Sequence, residues 1–147
     1  MIREHRLPAD VLAKLPQLVE RLKDTPSVQA LYFFGSLARG ELKPLSDLDL
    51  ALLLDRDLTK DEIFARHLDV IGLVSDVLGT DEFDLLILNR APLRMAYHVL
   101  KEGRLMFFKE RRQLADFRER VIKLYLDFAR CRKQFDRAFM QGVGLGG

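Results

Sequence analysis

The chain has 147 residues, 48% hydrophobic and 31% charged, and its 24 basic and 22 acidic side chains leave a net charge of +2. That is close to one domain of chain, with apolar mass for a single core. It excludes a disordered, collagen-like or disulfide-stapled protein. Cys131 is the single cysteine, and the charged start MIREHRLPAD lacks the apolar stretch of a signal peptide. Both features lead us to expect a cytoplasmic protein. No apolar run nears the roughly 18 residues of a membrane span, and so small a net charge predicts no nucleic-acid partner. The charge is nonetheless unevenly spread. Residues 101–137 carry twelve basic and six acidic side chains, a local +6, against −4 for the remainder. A solvated helix face accounts for this, as would a docking surface for an acidic partner or for nucleic acid.

Residues 9–23 place Leu12, Leu15, Val19 and Leu22 at helical spacing, with Pro16 expected to kink or restart the helix. After the turn DTPS, Val28–Phe34 (VQALYFF) reads as a buried strand ending at Gly35-Ser36. A polar loop leads to a second strand, Asp47–Leu54. Thr59 and Glu62 stand at capping-box spacing and open a helix bearing Ile63, Phe64, His67, Leu68, Ile71, Val74, Val77 and Leu78, which Gly79 stops. Phe83–Asn89 reads as a third, buried strand. Pro92 opens a further helix that Gly103 ends, and Arg104–Phe108 reads as a fourth strand. From about Glu110 to Phe139 a long helix carries Leu114, Phe117, Val121, Leu124, Phe128, Phe135 and Phe139 on one stripe. Its aromatic residues are expected to serve in packing. At about 1.5 Å per residue such a helix outruns a small core, so its far end is expected against a second chain. Strands and helices mixed in this order define an α/β (α+β) fold.

The chemistry concentrates around two short motifs. A strand that ends in Gly35-Ser36 and turns toward a helix presents backbone N–H groups and a hydroxyl to a phosphate. Asp47 and Asp49 alternate with Leu48 and Leu50, so both carboxylates project from one strand face. Like charges so placed oppose strand formation, and a divalent cation would compensate them. Asp84 opens the next apolar run. If the three acids converge, they form a two-metal site for in-line displacement at phosphorus. His5, His67 and His98 show no ligand spacing, and His67 reads as packing. Cys131 has no activating base beside it.

Gly35-Ser36, ten residues, then Asp47-x-Asp49, with Asp84 opening a later strand, resembles the polymerase-β-type nucleotidyltransferase superfamily. Taken whole, GSLARGELKPLSDLDLALLL is similar to the motif of the minimal nucleotidyltransferases (MNT), and LNRAPLRMAYHVLKEGRLMFF followed by a long helix is similar to that family's second half. The likeness runs over roughly residues 25–130. It implies a single nucleotidyltransferase domain over 1–147, with a core of about 25–109 and a C-terminal helix of about 110–139. It further implies a small mixed sheet with helices packed on one side, binding ATP and Mg²⁺, two ions being expected. By the resemblance, Gly35, Ser36 and Arg39 hold the nucleotide's phosphates. Asp47, Asp49 and Asp84 are the catalytic and metal-binding acids, with Asp84 the general base, while Ser46 caps the turn. MNT proteins of this type are antitoxins that transfer AMP to a tyrosine of a partner HEPN-domain toxin. The alternatives left open are an antitoxin that neutralises by binding alone, and nucleotidyl transfer to a small molecule.

Overall fold

The structure, a computed structural model, describes residues 11–35 and 48–142. Its centre is a four-stranded mixed sheet of β1 (Val28–Phe34), β2 (Leu48–Leu54), β3 (Phe83–Ile87) and β4 (Arg104–Phe108), in the order β3-β2-β1-β4. β1 runs antiparallel to β2 and β4, whereas β2 and β3 are parallel. A parallel pair needs a crossover, here the helix α2 (Lys60–Leu78). Its Thr59 hydroxyl accepts from the Glu62 N–H at 3.2 Å, and the Thr59 N–H donates to Glu62 Oε1 at 2.9 Å. Those bonds hold the Glu62 carboxyl below the usual range, and Gly79 closes the helix at φ +69°. The expected cap and stop are both present.

Alternation along β1 and β2 divides the core in two. Leu48, Leu50, Leu52 and Leu54 face α2 and α1 (Val11–Lys23), with Leu18, Leu22, Val70 and Val74 against them. Ala30, Tyr32, Ala51 and Leu53 face the opposite layer, α3 (Leu93–Glu102) and α4 (Arg111–Gly142). Helices therefore cover both faces, not one. The reason lies in β2, whose side chains are apolar on both sides after Asp49 and would otherwise expose Ala51 and Leu53 to water.

Several expectations need correction. The third strand is shorter than Phe83–Asn89: it ends at Ile87, and a 3-10 turn covers Leu88–Arg90. It is an edge strand rather than a buried one, with Asp84 exposed and Leu85 and Leu86 half-buried. The Asn89 side chain extends the sheet past that end, accepting from the Leu54 N–H at 2.8 Å and donating to the Leu54 carbonyl at 2.9 Å. Pro16 lies inside α1, so the helix does not restart there. On α2, Phe64, Leu68 and Ile71 are exposed, since Ile63, Val70, Val74 and Val77 form the inward stripe. His67 packs as expected, its Nε2 donating to the Leu85 carbonyl at 3.2 Å. Among the described residues, no helix is long and apolar enough to cross a membrane.

Tyr32 sits in the middle of the sheet, 1% exposed, and its hydroxyl makes no hydrogen bond of good geometry among the described residues, although the Arg118 side chain lies within its reach. Burial raises its pKa above the usual 10.0, and the nearby Arg118 guanidinium offsets only part of that. The folded state thus favours the neutral phenol. The associated stability is fully present below the unfolded pKa, about 10, and is lost as pH rises through it. We expect Tyr32→Phe to leave stability at neutral pH unchanged or to raise it by up to about 1 kcal/mol. It should also flatten the alkaline decline. Urea unfolding at neutral pH and at about pH 10.5 checks both, and a clear loss at neutral pH would mean that the hydroxyl has a partner.

Candidate active site

Three strand ends meet at one end of the sheet: the last residues of β1 and the first of β2 and β3. Asp49 pairs across to Phe34 on β1 and lies in register with Asp84 on β3. Residues in register on adjacent strands project from the same face. Alternation from Ala51 and Leu53 on one strand and from Leu86 on the other puts both acids on the α3–α4 side. Asp49 is half-buried and Asp84 exposed. The sheet therefore brings together two acids 35 positions apart in the chain.

Gly35 follows Phe34 immediately and takes φ +65°. A side chain there would collide with Asp49 Oδ2, and its Cβ would stand 3.2 Å from Asp49 Cγ. The glycine therefore serves two purposes: it permits the left-handed turn that ends β1, and it leaves room for the Asp49 carboxylate. At the start of β4, Gly103 packs under the same end, where a Cβ would stand 3.2 Å from the Phe33 carbonyl oxygen.

Of the residues singled out in the sequence, Gly35, Asp49 and Asp84 meet here. Ser36, Arg39, Ser46 and Asp47 lie outside the described residues, and the strand is described from Leu48 onward. Among the described residues no group of three His, Cys, Asp or Glu side chains gathers. The donor set present, two carboxylates on one face, suits a hard cation with oxygen ligands. What sequence reading could not supply was the β2–β3 register and the contact of Gly35 with Asp49, because both are long-range products of strand pairing. A cavity of about 320 Å³, lined by Leu54, Arg56, Asn89, Gln113, Asp116 and Arg120, lies at the opposite end of β2. The Arg56–Asp116 ion pair (2.8 Å) bridges its wall.

A small mixed sheet whose glycine turn and strand-end acids converge on one face is the framework of a nucleotidyl-transfer domain. Residues 16–112 match the family model described as polymerase beta, nucleotidyltransferase, and this chain belongs to that family. A similar curated protein is the protein adenylyltransferase MntA of Aphanizomenon flos-aquae (strain 2012/KM1/D3), 25% identical over 119 residues, which are 76% of this chain and 78% of that one. Among solved structures, a toxin–antitoxin complex with AMP-PNP contains a chain of similar fold, with TM-score 0.62 and 21% identity, covering 87% of this chain and 97% of that one. Another is found in the complex of a tri-AMPylated Shewanella oneidensis HEPN toxin with its MNT antitoxin, with TM-score 0.57 and 19% identity, covering 88% and 96%. At these identities the structures establish the fold.

Proposed function

We propose that this protein transfers AMP from ATP to a tyrosine hydroxyl of a HEPN-domain toxin and so acts as its antitoxin. The observation that carries this reading is the in-register pair Asp49 and Asp84 beside the Gly35 turn, in a member of a nucleotidyltransferase family. The names of the similar proteins, a protein adenylyltransferase and chains of toxin–antitoxin complexes, supply the acceptor class. The whole chain acts as one catalytic unit, in a reducing cytoplasm where Cys131, an exposed free thiol, stays reduced.

In this reading Gly35 and Ser36 offer backbone N–H groups and a hydroxyl to the triphosphate, and Arg39 donates a further hydrogen bond to a phosphate. Asp47, Asp49 and Asp84 would hold Mg²⁺, two ions in the full set. When bound, the ions neutralise the phosphate charge and polarise the α-phosphorus. The tyrosine oxygen forms a bond to that phosphorus, the bond to the bridging oxygen breaks, and pyrophosphate leaves. Asp84 takes the phenolic proton. Its exposure at the sheet edge suits that role, since the acceptor is a side chain on another protein.

The test is intact-mass spectrometry of a HEPN-domain partner protein after incubation with this protein, ATP and Mg²⁺. We expect a gain of one AMP or a small multiple, absent with the Asp47→Ala/Asp49→Ala variant. A stable complex with no mass gain would overturn the transfer and leave an antitoxin that acts by binding alone.

A further inference from the structure

The stripe on α4 continues well past the domain that it helps to build. Its apolar positions alternate at spacings of three and four through Leu114, Phe117, Val121, Leu124, Phe128, Cys131, Phe135 and Ala138, the heptad pattern of a helix that packs on other helices. The first three are buried against α3 and the sheet. Beyond them the pattern persists while the partner stops. Phe128 is 54% exposed and Phe135 68%, and Phe139 beside it is also exposed. Packing within the chain thus holds for Phe117 and for Tyr125, which stacks on Tyr97, whereas Phe128, Phe135 and Phe139 lie on the far end of the helix, the part expected against a second chain. Single exposed apolar residues are ordinary, but a continuous stripe of them marks an interaction surface. At about 1.5 Å per residue, the 32-residue helix spans about 48 Å, and residues 126–142 account for about 26 Å of that.

This stripe joins a groove between α3 and α4. Tyr97 and Tyr125 stack with ring centroids 3.8 Å apart, and with Met95 they line a hollow of about 470 Å³ that Arg94 and Lys101 also border. A second hollow of about 280 Å³ follows, bounded by Tyr125, Phe128, Arg94 and Arg132. The apolar floor is thus bordered by three cations. Of the acids near it, Glu102 is engaged with His98 at 3.2 Å and Asp127 with Arg130 at 2.7 Å. Residues 126–142 themselves carry four basic and two acidic side chains, +2. A second copy of this chain would set like charge against like charge, which disfavours pairing.

We propose that the α3–α4 groove and the outer stripe of α4 are the docking surface for an amphipathic helix of the partner toxin, with apolar residues facing Phe128 and Phe135 and acidic residues facing Arg94 and Arg132. The identity of that partner rests on the function proposed above; the surface and its charge do not. A helix laid in such a groove is a common recognition mode, anchored by a few aromatic contacts. This surface would hold the acceptor protein through residues other than the acids, so docking and chemistry would be separately mutable.

Two variants test it: Phe128→Asp/Phe135→Asp, and the charge reversal Arg94→Glu/Arg132→Glu. All four residues are exposed, so the fold should survive, which circular dichroism confirms. Affinity for the HEPN-domain protein is measured by titration calorimetry, and each protein alone by light scattering. We expect the apolar variant to weaken binding by about 30-fold or more. The charge reversal should weaken it by about fivefold or more, with wild-type affinity falling as salt rises. If both variants bind as wild type does, the docking surface is wrong while the antitoxin reading stands. A wild-type dimer that the first variant converts to monomer assigns the stripe to a second copy and overturns the proposal. Absence of any complex with wild type defeats the antitoxin reading and this proposal together. Should the apolar variant unfold, the charge reversal decides.

Discussion

Asp84→Asn is expected to lower the rate of AMP transfer by roughly 10²- to 10⁴-fold, the usual size of a lost general base. The amide keeps the shape of the carboxylate but cannot accept the tyrosine proton. Asp84 is exposed on an edge strand and buries no apolar surface, so the folded state should tolerate the change. Relief of its repulsion with Asp49, in register on β2, works in the same direction. Single-turnover kinetics with saturating ATP measure the rate, and a melting curve measures stability. ATP affinity that stays within about threefold while the rate falls assigns Asp84 to the chemical step. A rate within about twofold of wild type would remove Asp84 from the mechanism.

Gly35→Ala should be nearly as damaging, for a geometric reason. Alanine at φ +65° is strained by about 1–2 kcal/mol, and its Cβ would occupy the space of the Asp49 carboxylate. Either the turn or the acid must move, and a displacement near 1 Å at a catalytic group costs roughly 10²-fold in rate. We expect that loss of rate together with a fall in melting temperature of about 2–8 °C. Gly103→Ala provides the contrast, because its Cβ would meet the Val99 and Phe33 carbonyls rather than an acid. That variant should lose stability with a smaller loss of rate per degree. Equal rate losses in the two variants would show that Gly35 acts only through the fold.

Local signals in this chain carry directly into its structure. Val28–Phe34 and Arg104–Phe108 are strands over those same residues, because β-branched and aromatic runs bounded by turns have few other uses. The capping box of Thr59 with Glu62 and the left-handed Gly79 also match, since each depends on contacts within four residues. Burial was the weak point. A helix stripe shows which residues share a face, but not whether anything stands opposite. Phe64 and Leu68 share the helical spacing of the buried residues of α2, yet the structure leaves them exposed, as it does Phe128 and Phe135 on the far end of α4. The third strand was read as buried from its apolar run. Being at the sheet edge, it has β2 on one side only.

By itself, the sequence determined the class of fold and the element order, and it singled out the residue types proposed to do the chemistry. It paired a glycine turn with strand-end acids at a spacing that few other functions require. Those features depend on chain neighbours and on alternation, so they are written locally. Tertiary structure alone decided that Asp49 lies beside Asp84, that Gly35 makes room for the Asp49 carboxylate, that helices cover both sheet faces, and that the outer half of α4 stands exposed, with nothing packed on it among the described residues. Each of those depends on strand register or on what packs opposite, and residues far apart in the chain settle both only when the sheet closes.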